Sequence, residues 1–177
     1  RILSHRGRPQ IQKDVISASV ARKLSLKPLV PFLARLIGQR VKFVNFLQPR
    51  GKFMVGHLDQ AIHEILRMSH QSIVLLENVR FLRGEQENST SLARVLAHAG
   101  DFYVNDAFAS SHHEGASLAA ITKFLPSYAG FLFEAEMKHL NMVKRKPRKP
   151  LIVILGGAKA HGKIALLNYF GHAAESI

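Results

Sequence analysis

Ile73-Val74-Leu75-Leu76 sets four apolar residues in succession, and Glu77, Asn78 and Arg80 follow within the next four positions. An uninterrupted apolar run of this length, rich in β-formers, reads as a strand buried on both faces. Such a strand belongs to a sheet with a layer packed on each side, which narrows the fold sharply. Ligands of open parallel sheets sit outside the carboxyl ends of the strands. Arg80 there would offer a planar, permanently charged fork for a carboxylate or phosphate. An ion pair between Arg80 and a nearby acid accounts for the same residues, and this stretch does not choose between the two.

The neighbouring segments supply the layers. Ile2-Leu3 reads as the tail of a strand that runs into the loop Ser4-His5-Arg6-Gly7-Arg8-Pro9. Gln10 to Lys23 shows little periodicity and is expected as a loop. Ser25-Leu26-Lys27-Pro28 opens a helix whose apolar face is Leu29, Phe32, Leu33, Leu36 and Ile37, with Gly38 as its stop. Val41–Val44 is a short strand and Pro49–Gly56 a loop. Leu58, Ala61, Ile62, Ile65 and Leu66 form the clearest helical stripe. Ser89 or Thr90 caps a helix that buries Leu92, Val95 and Leu96. The strand Phe102–Val104 leads to Asn105-Asp106 and a small-residue loop holding His112-His113-Glu114. A short helix reaches Phe124, and a longer one spans Ala129 to Val143. Leu151–Leu155 reads as a buried strand ending in Gly156-Gly157-Ala158-Lys159, and a last helix follows. The alternation predicts a three-layer α/β/α, Rossmann-like parallel sheet with helices on both faces.

Charge is unevenly spread. The net charge is +13, and Arg1 to Lys52 holds 12 Lys+Arg against one acid, Asp14. Such a face attracts nucleic acid, an anionic membrane or a small multiply charged substrate. Lys144-Arg145-Lys146-Pro147-Arg148-Lys149-Pro150 reads either as a solvated linker or as a nucleic-acid or targeting patch. The chain has no cysteine, which excludes disulfides and thiolate metal sites. It has no stretch long enough to span a membrane. Arg1 to His5 lacks the regions of a signal peptide, and a cytoplasmic setting is expected.

Three strand ends therefore carry polar or cationic groups: His5 with Arg8, Glu77-Asn78-Arg80, and Asp106 with His112. A doubly wound sheet brings such ends to one edge, where they suit a small phosphorylated acid. No Ser-His-Asp arrangement, paired carboxylates or metal-ligand spacing stands out, and no metal site is expected. Gly157 to Ile164 matches a phosphate-binding glycine loop through Gly162-Lys163, but Ile164 stands where a hydroxyl would hold magnesium. The same residues fit a phosphate site at a helix N-terminus or a tight turn with solvated lysines.

Taken together, five motifs in order resemble the phosphoglycerate kinase family. Ser4–Pro9 resembles its SHxGRP loop, Ser25–Pro28 its SLKP segment and Leu75–Phe81 its LLENxRF. Val104–Phe108 resembles VNDAF, followed by a histidine of an AHR triplet, and Leu155–Lys163 resembles LGGAKxxDK. The resemblance covers nearly the whole chain. It implies an enzyme that moves a phosphoryl group between 1,3-bisphosphoglycerate and ADP, giving 3-phosphoglycerate and ATP with magnesium. It also implies two Rossmann-like domains joined by a hinge, and a monomer whose partner is the small substrate, with no membrane and no nucleic acid.

Carried onto this sequence, the resemblance makes His5, Arg8 and Arg80 ligands of the substrate phosphate, with His112 and His113 beside them. It makes Gly156, Gly157, Lys159 and Lys163 the nucleotide contacts. The implied layout is a glycerate-binding domain over 1–128, an interdomain helix and basic linker over 129–149, and the first strand-helix unit of the nucleotide domain over 150–177. On this comparison the family's first strand, with its Asp and Asn ligands, lies upstream of residue 1, and most of the nucleotide domain lies beyond residue 177. A chain of this extent is expected to be inactive alone. Two positions also depart from the pattern: His113 stands where the family has a substrate-binding arginine, and Gly162 where it has aspartate. Imidazole is mostly neutral at pH 7 and lacks the fork, so phosphate affinity should fall.

Overall fold

The apolar run forms strand β5, Ile73–Leu76, and it is inserted between two cores in the computed structural model. Strands β1–β7 and helices α1–α7 are numbered in chain order. The structure describes residues 1–11, 15–50, 52–55, 57–145, 147–154 and 161–171, with the backbone alone for 48–50, 52–55 and 161–163. The chain divides into two units, Arg1–Gly130 and Phe131–Ile177.

In the first unit, β5 runs parallel to β2 (Val41–Val44), with Val41 opposite Ile73 and Val44 opposite Leu76. Alternate side chains of a strand point to opposite faces. Val74 and Leu76 accordingly join the main core with Ile62 and Ile65 of α3 (Leu58–Leu66) and Leu96 of α5 (Thr90–Ala97). Leu75 instead packs with Leu26, Val41 and the half-buried Val30 and Leu33 of α2 (Val30–Ile37). Helices thus cover the strand from both sides, as the unbroken apolar run requires. The expected stop of α2 and start of α5 are both present. Gly38 ends α2 at φ 70°, and the Ser89 hydroxyl accepts the Leu92 N–H at the start of α5.

Four expectations for the first unit need correction. Gln10 to Lys23 is not a plain loop: it holds β1 (Val15–Ile16) and α1 (Ala18–Leu24), capped by Ser17. Pro49–Gly56 is not a loop either. Strands β3 (Leu47–Arg50) and β4 (Lys52–Val55) form an antiparallel hairpin, and β1 pairs antiparallel with β4, so not all the sheet is parallel. Residues 127–129 are a strand, β7 (Ser127–Ala129), and the helix expected from Ala129 is α6, Phe131–Arg145. Finally, of the five apolar residues expected to face inward on α2, Leu29, Phe32, Leu36 and Ile37 are exposed. The periodicity marks a stripe, but the sheet beneath covers only its Val30–Leu33–Ala34 side.

The parallel strands form two pieces. Residue 2 bridges β5: the Ile2 N–H donates to the Val74 carbonyl (2.7 Å) and the Leu76 N–H to the Ile2 carbonyl (3.0 Å). Strand β6 (Tyr103–Asn105) runs parallel to β7. A cleft of about 820 Å³ lies between them, lined on one side by Leu3, Ser4 and His5 and on the other by Tyr103, Val104 and Asn105. Short α4 (Arg83–Gln86) and a 3₁₀ turn over Val79–Phe81 connect β5 to α5.

The second unit contains α6 and α7 (His161–Phe170), and the Tyr169 hydroxyl donates to the Lys144 carbonyl at 3.2 Å. The buried strand expected over Leu151–Leu155 does not appear among the described residues: Ile152 and Ile154 are 64% and 91% exposed.

Candidate anion-binding site

Glu77 and Asn78 do not face solvent at the end of β5. They are 2% and 0% exposed, and they tie two loops to the strand. The Glu77 carboxylate accepts the Ser25 hydroxyl (2.7 Å), the Leu26 N–H (2.8 Å) and the Asn78 N–H (2.8 Å). The Asn78 amide donates to the carbonyls of Arg6 (2.8 Å) and Leu24 (3.0 Å), and its oxygen accepts the Arg80 N–H. A buried carboxylate is tolerated only when its lone pairs are satisfied, and here they are. The Ser25–Pro28 segment and the Ser4–Pro9 loop are thereby fixed relative to β5. A guanidinium bond completes the arrangement, with Arg80 Nη1 donating to the Gly7 carbonyl at 2.7 Å. Gly7 itself adopts φ 65°, a left-handed turn that glycine takes without strain.

This fastening concentrates cations. Burial lowers the His5 pKa below its ordinary 6.5, and the positive charges of Arg80 and His113 lower it further. His112 depresses His113 most, with Arg80 and Arg8 adding to the effect. The His112 and His113 rings stand 3.8 Å apart between centroids. His113 therefore lies within electrostatic reach of His112, Arg80, Arg8 and His5, and His5 within reach of Arg80 as well. Arg80 is also within reach of the buried Glu85 carboxylate, which it stabilises in the charged form. The neighbouring positive charges raise the cost of protonating His5 and His113, and an arriving anion relieves it. Of the five, only His5 borders the large cleft.

The loop that carries the two histidines has its own fastening. Glu85 on α4 accepts the Ser117 N–H (3.0 Å) and hydroxyl (2.7 Å), and the Ala116 N–H donates to its backbone carbonyl. Asn88, at φ 51°, accepts the Ala120 N–H (3.0 Å). Desolvation raises the Glu85 pKa, and the Ser117 hydrogen bonds pull it back. Burial pushes Tyr103 up to about 12, and the Glu85 charge contributes. A Cβ at Gly115 would stand 2.8 Å from Glu85 Oε1, which Ser117 already holds in place. Gly115→Ala is therefore expected to destabilise the chain by about 1–3 kcal/mol. Urea unfolding followed by circular dichroism checks this, and an unchanged midpoint would show that the loop yields freely.

A family profile for phosphoglycerate kinase matches residues 1–177. The chain belongs to the phosphoglycerate kinase family. The phosphoglycerate kinase of Bartonella henselae is 43% identical over 168 residues, which are 95% of this chain and 38% of that protein. That of a Wolbachia from Drosophila simulans is 41% identical over 166 residues, covering 94% and 37% respectively. Among solved structures, phosphoglycerate kinase from Coxiella burnetii superimposes with a TM-score of 0.70 at 31% identity, over 98% of this chain and 39% of that one. The Pyrococcus horikoshii enzyme gives 0.68 at 25% identity, over 84% and 36%. The chain thus spans less than two-fifths of these phosphoglycerate kinases.

Of the residues named by the motifs, His5, Arg8, Arg80, His112 and His113 are gathered in the first unit. Gly156, Gly157 and Lys159 lie outside the described residues, and of Lys163 only the helical backbone is described. Glu77 was expected at the ligand edge and is instead a buried fastening, and Glu85 was not singled out at all. Glu77 directly follows the apolar run Ile73–Leu76, and that setting is its signal, whereas Glu85, between Arg83-Gly84 and Gln86-Glu87, has none in its local sequence.

Proposed function

We propose that the cation cluster of the first unit binds the phosphate of 3-phosphoglycerate. In that reading the chain carries the glycerate half of the phosphoglycerate kinase reaction, a cytoplasmic, monomeric step of glycolysis. The observation that supports it is that His5 and Arg80, on the segments fastened by Glu77 and Asn78, are electrostatic neighbours of His113, which also feels Arg8 and His112. Arg80 presents a fork beyond its bond to Gly7, Arg8 adds a second permanent charge, and protonated His5 adds a directional donor. His112 and His113 line the same neighbourhood. Transfer between this acid and ADP or ATP with magnesium depends on positioning and charge neutralisation at both ends of the phosphoryl group. The nucleotide end would be held by Gly156, Gly157, Lys159 and Lys163. The isolated chain is expected to bind the acid weakly and to turn nothing over.

Isothermal titration with 3-phosphoglycerate at low salt tests the binding, and absence of heat would overturn it. A coupled assay tests the inactivity. A second result is expected from imidazole NMR. Bound phosphate favours the charged form, so the ligand should raise the depressed His5 and His113 pKa values toward or above 6.5. Between the free and bound values the complex takes up protons, so affinity strengthens as pH falls through that window. Titration curves that ignore the ligand would place the phosphate elsewhere.

The basic excess of residues 1–52 favours a second reading, a non-enzymatic binder of nucleic acid on the same scaffold. Its signature would be retardation of random DNA that disappears steeply as salt rises.

A further inference from the structure

Glu85 follows Arg80 through two linked turns. The Leu82 N–H donates to the Val79 carbonyl and the Glu85 N–H to the Leu82 carbonyl, so one short stretch carries Arg80 at its start and Glu85 at its end. Glu85 is buried, and it reaches the loop that follows β6. Its carboxylate takes both donors of Ser117, and its backbone carbonyl takes the Ala116 N–H. The same loop is held where it begins. There the Asn105 amide donates to the Ser111 hydroxyl at 2.9 Å, and that hydroxyl donates to the Ala107 carbonyl at 2.9 Å. His112 and His113 lie between the two fastenings. The His113 N–H donates to the Ser110 carbonyl (3.0 Å) and the Gly115 N–H to the His113 carbonyl (3.1 Å), which ties the His113 backbone to both ends.

We infer that Glu85 is a positioning residue, which holds the His112–His113 pair beside Arg80. Its use in recognition rests on the phosphate reading of the cation cluster. A buried carboxylate is costly unless donors satisfy it, and Ser117 supplies two. Those two bonds, aimed from one residue at both carboxylate oxygens, fix the end of the loop in direction as well as distance. His5 has a different support: its loop is fastened by Asn78 through Arg6 and by Arg80 through Gly7. The cluster is thus assembled from two halves, and Glu85 sets the histidine half against the arginine half. The carboxylate acts through the loop, not on the ligand. Its charge is also felt by Arg80 and by Tyr103, so a test has to separate hydrogen bonding from charge.

Imidazole NMR of the full chain without ligand reads the position of the pair. The depression of the His113 pKa is led by His112 and also carries Arg80 and Arg8. Glu85→Ala should free the loop from the arginines, so His113 should titrate closer to 6.5, while His5, on its own fastening, moves less. Glu85→Gln removes the charge but keeps the volume. Its amide oxygen accepts the Ser117 N–H and its amide nitrogen donates to the Ser117 hydroxyl, so the parent His113 titration should return. Gly115→Ala forces the same separation from the loop side, because its Cβ would stand 2.8 Å from Glu85 Oε1, and it decides the matter if Glu85→Ala does not fold. Calorimetry with 3-phosphoglycerate should show affinity about tenfold lower in Glu85→Ala, the loss of one hydrogen bond to a charged group, and parent-like affinity in Glu85→Gln. A parent-like His113 titration in both Glu85→Ala and Gly115→Ala overturns the inference, and so does an alanine-like titration in Glu85→Gln. If the His113 shift appears while the parent chain gives no heat with the acid, the positioning role stands and the phosphate reading falls.

Discussion

Replacing Glu77 with alanine is expected to destabilise the chain by about 3–5 kcal/mol, the largest effect of any single polar substitution in the first unit. The alanine leaves the Leu26 and Asn78 N–H groups without their acceptor in a site that is 2% exposed, and it releases the Ser25 hydroxyl. Each buried donor left unpaired costs about 1–3 kcal/mol. Against a total stability of about 5–15 kcal/mol, such a loss removes much of the margin. Glu77→Gln keeps one acceptor oxygen and should lose less. Urea unfolding of the full chain measures both. A loss below about 1 kcal/mol for alanine would mean that water replaces the carboxylate and that the two loops are held by something else.

Arg80→Ala should lower affinity for 3-phosphoglycerate by more than about tenfold, if the acid binds where the cations converge. The guanidinium reaches His5 and His113 electrostatically while bonding the Gly7 carbonyl, so its removal takes a ligand and a loop anchor together. Arg80→Lys separates the two roles. Lysine keeps the charge but loses the fork, so affinity should fall to an intermediate value. The fold should lose only about 1 kcal/mol in either variant, because a single hydrogen bond is given up. Titration calorimetry read beside urea unfolding distinguishes lost recognition from lost structure. Arg80→Ala binding as tightly as the parent would remove Arg80 from the site.

The strand and its layers were readable in the sequence because Ile73–Leu76 has no polar residue to offer solvent. The antiparallel hairpin was not. Pro49 and Gly51 lie within its stretch, and such residues ordinarily signal loops. Helix α1 was missed although its cap was present, since the Ser17 hydroxyl accepts the Val20 N–H. Seven residues with one buried side chain, Ala21, give too short a period to stand out. The site divides the same way. His5, Arg8, Arg80, His112 and His113 were named through motifs, but the motifs did not say why Glu77 and Asn78 accompany Arg80. Pairing of those two with Ser25, Arg6 and Leu24 is a long-range property that no local window contains.

The cleft in the first unit has a consequence for how that unit breathes. Ile2 and Ser4 spend their backbone groups on the β5 side, and Tyr103 and Asn105 spend theirs on the β7 side. The residues between them, Leu3 and Val104, turn N–H and C=O the other way, and both line the cleft. Among the described residues no strand runs along that edge. A deuterium-exchange map should therefore show a rapidly labelled seam through the middle of the sheet, with the β5 amides on its flank among the last to exchange.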